Sequence, residues 1–169
     1  HHEIQLSNTN FESHGSRHVS EVKQVNKQQM DYVTRVHASP LDIPAQAWDA
    51  LLAQQDAPSP FMQHAYLAAL HTSGSATPDT GWTPQFVTLW LDEDLAAASA
   101  LYIKDHSYGE YVFDWAWANA YADHGLHYYP KAVAAVPFTP VPGSRLLVAR
   151  PALRTTLLRA ATAWCKEQG

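Results

Sequence analysis

The chain has one cysteine, seven glycines and eleven basic residues in 169, and no stretch of consecutive apolar residues that could cross a bilayer. A single thiol, Cys165, excludes an intrachain disulfide. Its place between Trp164 and Lys166 suits a half-buried side chain rather than a nucleophile. Without 18 apolar residues in a row, or a basic start followed by an apolar block, neither a membrane span nor a secretory signal is encoded, and a cytoplasmic chain is expected. No Cys pair and no HExxH pattern occurs. His106, His124 and His127, even with Asp114 or Asp123, lack a ligand spacing, so no metal is expected.

Positive charge is scarcest where most of the chemistry-bearing residues lie. Residues 31–130 hold twelve acids against Arg35 and Lys104, whereas residues 131–169 hold six basic residues against Glu167. Phosphate neutralisation needs a continuous basic face, which argues against general nucleic-acid binding. The basic end reads as a solvated helix face able to meet a phosphate or an acidic partner.

What is abundant is apolar and aromatic. A hydrophobic share of 46% against 16% charged residues gives enough burial to offset ordering entropy in one domain. All six Trp, eight Tyr and eleven Pro follow residue 30, while residues 1–29 are rich in Gln, Asn, Ser and His. The first 29 residues therefore read as a disordered tail, added or upstream sequence, with Met30 as the native start and a domain over 30–169.

Along that domain DYVTRVHAS alternates as a strand, and Ile43-Pro44 opens a helix to about Ala53 with Trp48, Leu51 and Leu52 as its apolar stripe. Ser59 and Pro60 open a second helix that buries Phe61, Tyr66, Leu67 and Leu70. PQFVTLWL and LAAASALYIK form a hairpin turning at Asp92, Glu93 and Asp94, and Lys104 ends its second strand. Asp114 caps a short helix over 115–124 that Gly125 stops. A buried strand over 131–136, a Pro-Gly turn, a strand from Arg145 and a last helix from Pro151 complete the order β-α-α-β-β-α-β-β-α, an α+β arrangement.

The stretch KDHSYGEYVFDWAWA, residues 104–118, leaves the end of a strand carrying acids, a histidine and rings, where side chains can face a ligand. Glu110 and Asp114, four apart, with His106 upstream, suit an amine substrate: a carboxylate attracts the ammonium and a base takes its proton. The competing use of these acids is to hold loop amides and cap the helix. The cluster Tyr108, Tyr111, Trp115, Trp117, Tyr121, Tyr128 and Tyr129 could line a groove, but most of it is expected in the core. In PFTPVPGSR, Arg145 offers a forked donor beside Gly143, although a structural turn explains the segment as well.

SPFMQHAYLAALHTSGS, LYIKDHSYGEYVFDWAWANAY and YYPKAVAAVPFTPVPGSRLLV together resemble the opening half of the FemAB-like predicted N-acyltransferases, bacterial proteins of the peptidoglycan biosynthesis and recognition type. The resemblance runs over residues 32–169. It implies a GNAT-like, acyl-CoA N-acyltransferase fold, a mixed sheet flanked by helices, and a missing C-terminal half-domain of similar size. It further implies acyl or aminoacyl transfer to an amine, on an amine-bearing small molecule or a peptidoglycan precursor. Acyl-CoA or aminoacyl-tRNA is then the co-substrate and no cofactor is held tightly; no RxxGxG/A pattern precedes the last helix, which argues against acyl-CoA bound by this half alone.

The site expected on these grounds has Glu110, His106 and Asp114 as catalytic candidates. Lys104, Ser107, Tyr108, Tyr111, Trp117, Tyr129, Lys131 and Arg145 are the substrate-binding candidates, with Lys104 or Arg145 holding an anionic group. The chain alone is expected to be inactive and to self-associate through an uncovered apolar surface. The alternative is a non-catalytic module for sugar-peptide recognition or docking.

Overall fold

The hairpin at the centre of the sequence is the centre of the molecule. In the computed structural model, which describes residues 31–168, β2 (Thr83–Leu91) and β3 (Asp94–Lys104) pair antiparallel along their whole lengths. The turn lies at the acids, where Asp92 takes a left-handed φ of 54°. β1 (Val33–His37) joins the outer edge of β2, and β4 (Lys131–Ala134) and β5 (Leu147–Val148) follow one another along the outer edge of β3. Every pairing is antiparallel, so the five-stranded sheet is not the mixed sheet the resemblance implied. The tail reading of residues 1–29 and the start at Met30 fall outside the described residues.

Both faces of the sheet are covered, which explains why β2 and β3 read as nearly continuous apolar runs. On one face α1 (Ala45–Ala53) and α2 (His64–Thr72) pack Trp48, Leu51 and Leu67 against Trp82, Phe86, Ala100 and Tyr102. Edge-to-face ring pairs link Trp48 to Phe86 at 5.6 Å and Phe86 to Tyr102 at 5.7 Å, geometries that add to plain burial. On the other face α4 (Leu153–Gln168) sets Leu153 and Leu157 on Val87, Leu89, Ala97 and Leu101. Gln55, at the end of α1, donates to the Val148 carbonyl at 3.0 Å and ties β5 to the helical layer. The element order is the one the sequence implies, an α+β single domain.

Local departures have local causes. Ser59 caps only a one-turn 3-10 segment (Pro60–Met62), because Gln63 is extended there; α2 begins afterwards, with His64 N donating to Asp49 of α1 at 2.8 Å. A neighbouring helix thus supplies the acceptor that Ser59 was expected to give. β4 is half-exposed rather than buried, since it is an edge strand with only one face on the body.

The largest departure concerns the rings. α3 (Trp115–Asp123) buries none of its residues, and only Ala118 is even half-buried. Tyr111 is 81% exposed and Trp117 64%, and Tyr108, Phe113, Trp115 and Tyr121 also face outward. The expectation that most of this cluster is core is corrected: among the described residues α3 meets no facing layer.

Candidate functional site

The 105–114 loop leaves the end of β3 and is tied down from beneath. Lys104 is fully buried, its ammonium 3.7 Å from the centre of the Trp82 ring and donating to the Tyr108 carbonyl at 2.8 Å. Burial lowers its pKa below the ordinary lysine value. It holds the loop, and as placed it is sealed from any ligand. Ser107, also buried, accepts from Asp114 N at 3.3 Å through its hydroxyl, and its carbonyl accepts from Glu110 N at 3.1 Å. These bonds turn Glu110 and Asp114 to the same side.

Gly109 permits that turn. Its φ of +82° lies in the left-handed region, and a Cβ there would sit 2.6 Å from a Phe138 ring carbon and 2.8 Å from Trp82 Nε1. Both the conformation and the close approach call for glycine.

Lys131, at the start of β4, meets the two carboxylates. Its ammonium donates to Glu110 Oε2 at 2.8 Å and to Asp114 Oδ2, and the Tyr128 hydroxyl donates to the same Asp114 oxygen at 3.0 Å. All three charged side chains keep only 16–17% of their exposure. The hydrogen bond from Lys131 holds the Asp114 carboxyl below the usual carboxylate range. Burial opposes the charge on Lys131, but the bonds to Asp114 and Glu110 outweigh it and keep its pKa raised. Asp114 occupies the cap position of α3 without making a side-chain cap, its carboxylate being committed to Lys131 and Tyr128 instead.

Beside this trio lies a cavity of about 280 Å³ whose lining includes Glu110, Asp114, Trp82, Val133, Val136 and Arg145. Glu110 Oε1, Trp82 Nε1 and Arg145 Nη1 are buried without a hydrogen-bond partner among the described residues. Arg145 is steadied by its other terminal nitrogen, which donates to the Val141 carbonyl, and burial lowers its pKa.

The structure therefore gathers Glu110, Asp114, Tyr111, Lys131 and Arg145 in one place, and leaves other candidates elsewhere. His106 lies with its ring against Gly81 and accepts from Tyr108 N, outside the lining of this cavity. Tyr108 and Trp117 point outward, and Tyr129 lines a separate crevice of about 570 Å³ toward α4, with Trp164 and Cys165. Two contributors were absent from the sequence-based list, Trp82 and Tyr128. The hairpin could have revealed Trp82, since continuing the register Thr83 to Ile103 by one residue puts it opposite Lys104; the irregularity at Leu89 and Trp90 hides that register.

Among the described residues, no three His, Cys, Asp or Glu side chains converge to hold a metal ion, and no helix is long and apolar enough to cross a membrane. Neither the curated proteins nor the solved structures gave a match. The profile of one family does match, over residues 39–169, which takes in α1 to α4, the 105–114 loop, Lys131 and Arg145. The chain belongs to the FemAB-like family, described as acting in peptidoglycan biosynthesis or recognition.

Proposed function

We propose that this chain is the amine-binding half of a GNAT-like N-acyltransferase and that Glu110 receives the acceptor amine. The observation that carries the reading is the state of Glu110, a residue that lines the cavity: one of its oxygens is fixed by Lys131, while the other is buried with no hydrogen-bond partner among the described residues. An ammonium brought to that carboxylate, with a small shift of the side chain, satisfies the free oxygen.

In the transfer the bound ammonium first loses a proton to solvent; the neutral nitrogen then attacks the acyl carbon, a C–N bond forms, and the nitrogen of the tetrahedral intermediate becomes strongly acidic. The Glu110 carboxylate then takes its proton. The donor's C–O or C–S bond breaks, and the hydroxyl or thiol leaves with the proton that Glu110 took, which restores the carboxylate. Asp114 does not touch the amine in this scheme; with Tyr128 it positions Lys131. His106 stands outside the cavity lining and is the weaker candidate for a base. Acyl-CoA or aminoacyl-tRNA serves as donor, and a peptidoglycan precursor, or a small molecule with a free amine, as acceptor. The second half-domain implied by the family resemblance would complete the cleft.

Glu110→Gln in the full-length protein should cut turnover by about 10² to 10⁴, the usual contribution of a positioned base. Unchanged turnover would remove Glu110 from the reaction. A second reading, non-catalytic recognition of a sugar-peptide, is favoured by the exposed rings of the loop and α3. Thermal stabilisation by acyl-CoA or aminoacyl-tRNA supports the enzyme, and stabilisation by a muropeptide alone supports recognition.

A further inference from the structure

Two surfaces lie outside the cavity that Glu110 lines, and among the described residues neither has a covering layer. The first is a row of rings. His106 lies 5.0 Å from Tyr108, Tyr108 lies 6.2 Å from Phe113, and Phe113 stacks on Trp115 at 5.3 Å, so the four form one continuous strip from the 105–114 loop into α3. Tyr108 and Trp115 are each 61% exposed. Connected apolar surface of this kind marks an interaction site, whereas scattered exposed rings do not.

The charge around the strip is one-sided. Residues 105–127 carry Asp105, Glu110, Asp114 and Asp123 and no lysine or arginine. Lys131 neutralises only part of this, through Glu110 and Asp114, and Asp105 and Asp123 stay exposed. Rings set among carboxylates favour a cationic partner, since the ring faces and the acids both attract it.

The second surface is the outer face of α4. A groove of about 360 Å³ there joins Leu158 and Ala163 with Arg159 and Lys166, and the residues that line it all belong to α4. Leu158 is exposed although its neighbour Leu157 is fully buried against the sheet. Among the described residues no carboxylate pairs with Arg159 or Lys166, whereas Arg154 lies 3.8 Å from Asp56.

We propose that these two faces meet between copies of the chain: the ring strip of one docks on the α4 groove of the next, its rings covering Leu158 and its acids drawing Arg159 and Lys166. Like faces do not pair. Strip on strip brings carboxylates together, and groove on groove brings cations together. The contact is therefore head-to-tail, and a chain docked at one face still offers the other.

Sedimentation velocity of the 169-residue chain over a range of concentrations tests this. The unaltered chain should associate, and less so as salt rises, because the attracting charges are exposed. Tyr108→Ser with Trp115→Ser removes one face, and Arg159→Glu with Lys166→Glu removes the other. Each double variant, its fold checked by thermal unfolding, should associate about tenfold more weakly or less still. Mixed together, they should form a pair holding one copy of each and nothing larger, since one intact face of each kind remains. Undiminished association of the Arg159→Glu, Lys166→Glu chain would overturn the proposal, and so would variants that stay monomeric when mixed. An unaltered chain that is monomeric at every concentration would overturn it as well, and would leave the rings to a sugar-peptide or to the second half-domain.

Discussion

Lys104 and Lys131 are directly opposite one another in the β3–β4 ladder, yet among the described residues only Lys131 is paired with carboxylates. Like charges in that relationship repel. The fold separates their surroundings: Lys104 is sealed over the Trp82 ring and bonded to the Tyr108 carbonyl, while Lys131 turns to Glu110 and Asp114. The two lysines thereby anchor the 105–114 loop from both sides and present Glu110 to the cavity.

Lys131→Met should destabilise the domain by about 2–3 kcal/mol, somewhat less than loss of a partner in a fully buried pair because some solvent reaches the site. The loss comes from leaving two carboxylates buried together. Adding Glu110→Gln and Asp114→Asn to the same protein should recover most of it. Urea unfolding of the single and triple variants measures both.

Acid should loosen the same corner. Asp114 has a folded pKa below its unfolded one, so its contribution is present above about pH 4 and is lost as pH falls through the lower folded value. Lys131 is shifted upward, so its contribution is full below about pH 10 and is lost as pH rises through the folded value. Thermal midpoints from pH 6 down to pH 2 should fall, and the slope should be shallower in Asp114→Asn.

Gly109→Ala should cost about 1–3 kcal/mol, the range for a non-glycine residue held in a strained backbone region. The added methyl meets Trp82 and Phe138 at under 3 Å. Phe138→Ala in the same chain should relieve only part of the loss, because the Trp82 contact and the φ remain. Thermal unfolding of the two variants tests this.

Trp115→Ser with Trp117→Ser should change stability by no more than about 0.5 kcal/mol, since both rings are already solvated. Self-association, by contrast, should weaken. Sedimentation velocity on both proteins at high concentration reads the difference, and a unaltered chain that stays monomeric would count against an uncovered interface.

The sequence by itself determined the order of elements, the central hairpin, the stripe of Trp48, Leu51 and Leu52, and the closeness of Glu110 to Asp114. These follow from periodicity, turn residues and short-range spacing, which act between neighbours in the chain. It also carried the family resemblance. Which acid keeps a free oxygen, which lysine is sealed, and whether a ring faces the core or the solvent were decided by tertiary structure. Asp114 looked like a helix cap until β4 brought Lys131 within reach. The rings looked like core because burial depends on whether another layer lies opposite, and composition carries no information about what faces α3. Charge pairing and burial are set by groups far apart in sequence, so they exist only once the chain has folded.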